Sequence, residues 1–283
     1  MHVREPQVGQ RVAPGVVAAS APRRAGLRER ITALGFAVEA GVHHAGRMAR
    51  LIGRIFYYTL RGRVSGREIL VQMQWMGIHS IPIVVLSAIL SGAVTAQQAG
   101  YLMNVALPLY VLGNVVVSSV VLELGPLLTA IVLIARVGAR ITAEYGTMQV
   151  SEQVDALHTL GRDPVRVLAA PRVIAGVLVL PLLVAIANAG GIIAGAITTN
   201  VAYGLGFEAF LYGAQLWWMN WNLVYSLAKA TAFGFVISVI AVYMGFQARG
   251  GAEGVGRTTT TAVVLMLVAV LFFNALFPAL LLD

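Results

Sequence analysis

The sequence predicts an all-α integral membrane protein with an N-terminal amphipathic interfacial helix, five transmembrane helices and a short helix between the second and third. Three observations carry this. Of 283 residues 58% are hydrophobic and only 11% charged, with a mean hydropathy of +0.81, far from the roughly quarter-charged make-up of a soluble domain. Five apolar runs are long enough for a hydrocarbon core of about 30 Å, which takes about 20 helical residues. The basic residues, moreover, are segregated: twelve of nineteen arginines precede Trp75, five lie between Arg136 and Arg172, and two (Arg249, Arg257) flank the loop before the last run. Segments 101–122 and 198–222 hold neither Lys nor Arg.

Residues 1–26 are rich in Pro, Arg and Ala and lack the apolar core of a cleavable signal; they are expected to be a disordered basic segment. Residues 27–75 follow as an amphipathic helix and connector. Leu27, Ile31, Leu34, Val38, Val42, Ala45, Met48, Ile52 and Ile55 recur every three or four positions, while Arg47, Arg50, Arg54 and Arg61 fall on another face. Such a helix suits the headgroup layer, with Arg47, Arg50 and Arg54 on lipid phosphates. "SGRE" at 65–68 has the form of a capping box that opens a new helix leading into the membrane.

The membrane domain, 76–283, has spans near 78–99, 113–135, 171–197, 223–246 and 259–281. The second is ambiguous, because apolar sequence begins at Val105 and the polar "ELGP" at 123–126 divides it. Arginine placement decides for one span: with five, all Arg-bearing segments fall on one side, and splitting the second would put 136–172 on the other. The N-terminus is then cytoplasmic and the C-terminus outside. The net charge of +8 belongs to the cytoplasmic face and anionic headgroups, not to nucleic acid. Gly191 and Gly195 in the third span offer a small-residue face for close helix packing.

Between spans two and three lies "SEQVDALHTLGRDPVRVL", 151–168, which reads as a soluble helix. Ser151 is a plausible N-cap, Gly161 the stop, and Asp163-Pro164 a second cap. Val154, Leu157 and Leu160 form one stripe. A two-turn helix is marginal alone, so it needs a surface to pack on.

The chemistry available is limited. No P-loop precedes the lone lysine, Lys229; there is no cysteine; and histidines 2, 43, 44, 79 and 158 lack metal-ligand spacing, so neither a catalytic residue nor a metal site is expected. The glycine-rich "GGAEGVG" at 250–256 sits between two spans and is expected to be a turn. Glu123 and Lys229 fall near the outer ends of their spans. A lone charge at the membrane centre costs about 3 kcal/mol on insertion scales, so the two either pair inside the bundle or reach the outer headgroups. Arg136, Arg140 and Glu144 recur at i, i+4 and i+8, the spacing of an ion-pair ladder.

Residues 123–176, "ELGPLLTAIVLIARVGARITAEYGTMQVSEQVDALHTLGRDPVRVLAAPRVIAG", closely resemble the signature of the MlaE/YrbE permease family, the membrane subunits of Mla- and Mce-type lipid-transporting ABC systems, and "GGAEGVGRTTTTAVV", 250–264, resembles its second motif. With the amphipathic helix and five spans the resemblance covers nearly everything after residue 27. It implies that 151–160 is a coupling helix docking on a separate ABC ATPase through Glu152, Gln153, Asp155, Leu157 and Leu160. It also implies a homodimer in the bacterial inner membrane, a ring of MCE-domain protein on the outer side, sometimes a STAS-domain protein, and a lipid cavity near which Glu123 and Lys229 stand. No cofactor is expected on this chain; ATP and Mg would belong to the partner ATPase. One departure stands out: some relatives carry an aspartate in the last span, where this sequence has Phe272 and Asn274. The function implied is phospholipid transport between the inner membrane and the MCE partner. Import of sterols or fatty acids, or proton-coupled secondary transport through Glu123 and Lys229, are the alternatives.

Overall fold

Proline and glycine decide how the apolar runs become helices. The computed structural model describes residues 27–103, 108–216 and 218–281; the expectation for residues 1–26 falls outside them. Every regular element among the described residues is helical, and five helices are long and apolar enough to cross a membrane. The described residues fall into two compact units, divided between Arg47 and Met48. In the first, which holds the N-terminal part of α1 (Leu27–Leu60), Arg47 is exposed and its Nη2 lies 3.5 Å from the His44 ring. In the second, the rest of α1 buries Leu51 and Ile55 and leaves Arg50, Arg54 and Phe56 exposed.

After Gly62, at φ 60°, α2 (Gly66–Gly77) begins without the expected capping box. The Ser65 side chain makes no cap bond, and the helix opens with the ordinary bond from Ile69 N–H to the Ser65 carbonyl. Ser65 and Glu68 are both exposed, where water serves the same donors. A 3₁₀ turn at Ile78–Ser80 joins α2 to α3 (Ile81–Met103), completing the first span. Its cause is Pro82: without an N–H, it cannot serve the Ile78 carbonyl, which bonds Ile81 N–H instead.

The second span is one continuous helix, α4 (Val111–Ser119), α5 (Gly125–Leu133) and α6 (Ala139–Val150), joined by π turns at Val120–Leu124 and Ile134–Gly138. "ELGP" therefore widens a helix and does not break it. The short α7 (Gln153–Thr159) follows, then a π turn at Val165–Ala169 leading into α8 (Ala170–Tyr203). An unanticipated helix, α9 (Phe207–Leu216), precedes the fourth and fifth spans, α10 (Asn220–Gly245) and α11 (Gly251–Leu281). The glycine run at 250–256 is only partly a turn: Gly250 and Gly251 have φ 87° and 70°, while the remainder starts α11.

Helix α8 is central, packing against α2, α3, α5 and α10, while α11 lies on α10 and α6. The α3–α8 contact depends on glycine. A Cβ on Gly92 would meet the Gly191 carbonyl oxygen at 2.1 Å, and against α4 one on Gly195 of α8 would meet Val116 Cγ1 at 2.5 Å. Gly92→Val is expected to destabilise the bundle by ~3 kcal/mol through overpacking. Gly190→Ala, whose Cβ has only a 3.9 Å neighbour, is expected to be near neutral; thermal unfolding in detergent compares the two.

Two buried clusters follow. The larger contains Ile141, Tyr145, Leu180, Phe233 and Met266. The smaller, at the end free of Lys and Arg, joins Ala96, Leu112, Val116 and Phe210. There α4 and α9 meet backbone to backbone, with a Gly213 Cβ position 1.7 Å from the Tyr110 carbonyl oxygen.

Candidate functional site

Pro126 removes a second N–H, and the consequence lies at the heart of the molecule. In a regular helix the Leu122 carbonyl would bond the N–H of residue 126; proline has none. Gly125 N–H bonds back to the Val120 carbonyl, closing the π turn, and the Leu122 carbonyl accepts from Lys229 Nζ of α10 at 3.1 Å. The same ammonium pairs with Glu123 Oε1 at 2.9 Å, and Asn274 Nδ2 of α11 donates to Glu123 Oε2 at 3.1 Å. Lys229 is fully buried, whereas the Glu123 side chain is 41% exposed. Glu123 and Lys229 thus meet inside the bundle, one face of the carboxylate open.

A second polar layer adjoins it. Asn188 Nδ2 of α8 donates to Ser226 Oγ at 3.1 Å, and Asn188 Oδ1 sits 1.8 Å from where a Gly125 Cβ would stand, so Gly125 is required at the turn. Asn188 Oδ1, Tyr225 OH and Asn274 Oδ1 are buried without a partner. Unsatisfied buried polar atoms are uncommon in folded proteins; three of them around an open carboxylate suit a polar group of a bound molecule. Asn274 supplies a donor where an acid would add a second negative charge, and one ammonium balances one carboxylate. Phe272 faces outward, 64% exposed.

At the Arg-bearing end, α7 starts after Glu152, a non-glycine residue at φ 60°. Ser151 is not the cap: its Oγ bonds back to the Thr147 carbonyl, extending α6. Gly161, at φ 70°, stops α7 as expected, with Arg162 N–H returning to the Leu157 carbonyl. Val154 is buried and α7 packs on α6, while Glu152, Gln153 and Asp155 are exposed, Leu157 is half-buried and Leu160 is 73% exposed.

The ion-pair ladder does not form. Arg136 lies inside the π turn at 134–138 and Arg140 two residues beyond it, and both are exposed. Arg140 lies over the Trp75 ring at 4.0 Å. Glu144 pairs at 2.5 Å with Arg172, whose side chain is 9% exposed and whose guanidinium also covers the Tyr145 ring at 4.4 Å. Burial makes Arg172 the stronger claimant for the carboxylate. Tyr145 OH donates to the Leu168 carbonyl at 2.6 Å and its ring stacks on Phe246 at 5.0 Å. The segments on either side of α7 are therefore tied directly to the bundle.

Of the arginines assigned to the membrane surface, Arg54 is engaged within the protein. Its Nη2 and Tyr58 OH both donate to Asp163 Oδ2 at 2.5 Å, and Val165 N–H donates to Oδ1 at 2.9 Å. Burial alone would raise the Asp163 carboxyl, but the hydrogen bonds from Tyr58, Arg54 and the Val165 amide hold it below its usual 3.8. A depressed carboxyl contributes stability that is present above the unfolded value and lost as pH falls through the folded one. Acidification below about 3.8 is therefore expected to loosen residues 51–60 in hydrogen exchange, and Asp163→Asn to loosen them at neutral pH. The effect is below about 1 kcal/mol because Arg54 is half exposed.

Among the described residues no three His, Cys, Asp or Glu side chains gather as a metal would need. A family profile described as Permease MlaE matches residues 69–280. A probable ABC transporter permease protein of Rickettsia typhi is 40% identical over 74% of the chain and 81% of its own length. One of Synechocystis is 37% identical over 79% of the chain and 85% of its own length. The chloroplastic protein Trigalactosyldiacylglycerol 1 of Arabidopsis thaliana is 35% identical, over 78% of the chain and 63% of its own length.

Proposed function

The chain belongs to the MlaE permease family, and from that premise we propose that it is the membrane subunit of an ABC transporter that moves phospholipid or a similar lipid between the bacterial inner membrane and an MCE-domain partner on the outer side. A separate ATPase drives it, and two copies of the chain form the permease. The N-terminus and α7 lie in the cytoplasm, which follows from placing the Arg-bearing end inside.

The observation that carries this reading is α7. It is a seven-residue helix packed on α6, with Val154 buried, Leu160 73% exposed and carboxylates at Glu152 and Asp155. An exposed apolar side chain ringed by polar groups is the make-up of a docking face, and the network Glu144–Arg172–Tyr145 beside it would pass a push on α7 into α6 and α8. Lipid as the substrate is supported by the name of the Arabidopsis relative, which is that of a galactolipid. The half-open carboxylate at Glu123 would meet the polar part of such a molecule.

The test is to tag the chain, express it with its neighbouring genes, isolate it in mild detergent and identify proteins and lipids in the same sample. A P-loop ATPase and an MCE protein with enriched phospholipid are expected. Recovery of the chain with no ATPase would overturn the reading and favour proton-coupled transport.

A further inference from the structure

Two cavities of the second unit follow one another along the same two helical segments and differ in chemistry. One, about 600 Å³, is an apolar groove between α1, α8 and α10, with Phe56, Val177 and Phe235 on its walls. Its two hydroxyls donate internally, Thr59 to the Ile55 carbonyl and Thr231 to the Leu227 carbonyl, so these side chains offer a molecule no hydrogen-bond donor and the walls are otherwise carbon. The other, about 330 Å³, is polar and is lined by Arg63, Arg162 and Arg166 together with Tyr58, Glu68 and Asp163. On α1 the groove takes residues 55, 56 and 59 and the polar cavity begins at Tyr58; on the other segment the polar cavity ends at Val167 and the groove begins at Val173.

The charges of the polar cavity do not balance. Asp163 is committed to Arg54 and Tyr58. Arg166 Nε donates to the Arg63 carbonyl at 2.8 Å, which orients that guanidinium and leaves its terminal nitrogens free. Among the described residues the Arg63 and Arg162 side chains have no ion-pair partner. Three guanidiniums thus face one uncommitted acid, Glu68. Guanidinium groups favour phosphate through paired N–H donors, and the basic cavity and the apolar groove share the end of α1, at Tyr58 and Thr59. That order of polarity is the order of an amphiphile, and both volumes fall within the size range of small-molecule sites.

We propose that the chain holds one anionic phospholipid here, its phosphate among Arg63, Arg162 and Arg166 and an acyl chain along Phe56, Val177 and Phe235. The site is separate from the Glu123–Lys229 cluster. A lipid seated in it bridges α1 to α8 and α10, so the charge of the surrounding leaflet governs how firmly the end of α1 is held. The inference rests on the chain lying in a membrane and needs neither an ATPase nor transport.

The test uses the full chain in phosphatidylcholine vesicles containing a minor fraction of lipid with a photoactivatable acyl chain, bearing either a phosphatidylglycerol or a phosphatidylcholine headgroup. Labelling of peptides containing Phe56, Val177 and Phe235 is expected to be about five-fold stronger with phosphatidylglycerol. It should fall about five-fold for each of Arg162→Gln and Arg166→Gln, the attraction one surface arginine gives to an anionic leaflet. Ala232→Trp, which fills the groove, should abolish labelling with both lipids, and excess glycerol 3-phosphate should not compete. Equal labelling by the two headgroups overturns the proposal, as ordinary boundary lipid would give it. Competition by glycerol 3-phosphate overturns it in favour of a soluble phosphate ligand, and disulfide formation between two copies carrying Phe56→Cys or Phe235→Cys in favour of a dimer contact. Should an arginine variant fail to fold, the headgroup comparison on the unaltered chain decides alone. Loss of ATPase copurification would leave this labelling unchanged, so the two assignments fail separately.

Discussion

Reversing the charge of α7 with Glu152→Lys and Asp155→Lys is expected to leave the bundle folded and to abolish capture of the ATPase, weakening the complex about 100-fold or more. Both carboxylates are exposed, while Val154, the buried residue of α7, is untouched. Surface substitutions away from packed features change stability by about 0.5 kcal/mol or less. Truncating one member of a hydrogen-bonded charge pair at an interface costs about 2–5 kcal/mol, and reversal adds repulsion. The readouts are copurification and lipid-stimulated ATP hydrolysis. Leu160→Asp is expected to act in the same direction, because its exposed side chain would otherwise supply the apolar part of the contact. Glu152→Gly separates strain from charge: at φ 60° glycine adopts the required conformation at no steric cost, so a loss of binding in that variant reports the carboxylate. Unchanged copurification in the double variant would remove α7 from the docking role.

What the sequence discloses and what it hides divide along a physical line. Hydropathy and arginine segregation act on stretches of about 20 residues, and the five long apolar helices are where they point. Local chemistry was equally legible where one residue acts on its own backbone, as with Gly161 at φ 70° or the Asp163 side chain accepting from Val165 N–H. The π turn at 134–138 leaves no such trace, and the ladder is lost because Glu144 pairs with a residue 28 positions away, Arg172. Ser65 does stand at the N-cap of α2, but its side chain makes no cap bond. Pairing across the bundle is the hardest to see: Asn274 and Glu123 are 151 positions apart, and an asparagine in an apolar span does not name its partner. Glu123 and Lys229 were easier, because two isolated opposite charges in apolar spans have few other ways to lower their cost. A signal was available even for the π turn there, in Pro126 four residues after a carbonyl that then needs a donor from elsewhere.

Lys229→Met is expected to reduce lipid transport about ten-fold or more while the protein still reaches the membrane, and the manner of its rescue distinguishes a pair from a wider network. The ammonium is fully buried and serves two acceptors, Glu123 Oε1 at 2.9 Å and the Leu122 carbonyl at 3.1 Å. Removing it leaves a carboxylate whose remaining donor is Asn274. Breaking a fully buried pair costs about 3–5 kcal/mol, but Glu123 is 41% exposed and can recover solvent or a proton. Polar contacts between membrane helices measure nearer 1–2 kcal/mol, so the stability loss belongs in that lower range and function suffers more than folding. The exchange Glu123→Lys with Lys229→Glu restores opposite charges and is expected to surpass either single change in transport. It cannot reach the original activity, because a carboxylate at position 229 would face the Leu122 carbonyl that Pro126 leaves without its helical donor. Pro126→Ala in the exchanged background gives that carbonyl a backbone N–H to bond and is expected to recover part of the deficit. A double exchange no better than the singles would show that the two charges do not act as a pair, and full recovery without Pro126→Ala would show that the carbonyl contact carries no weight.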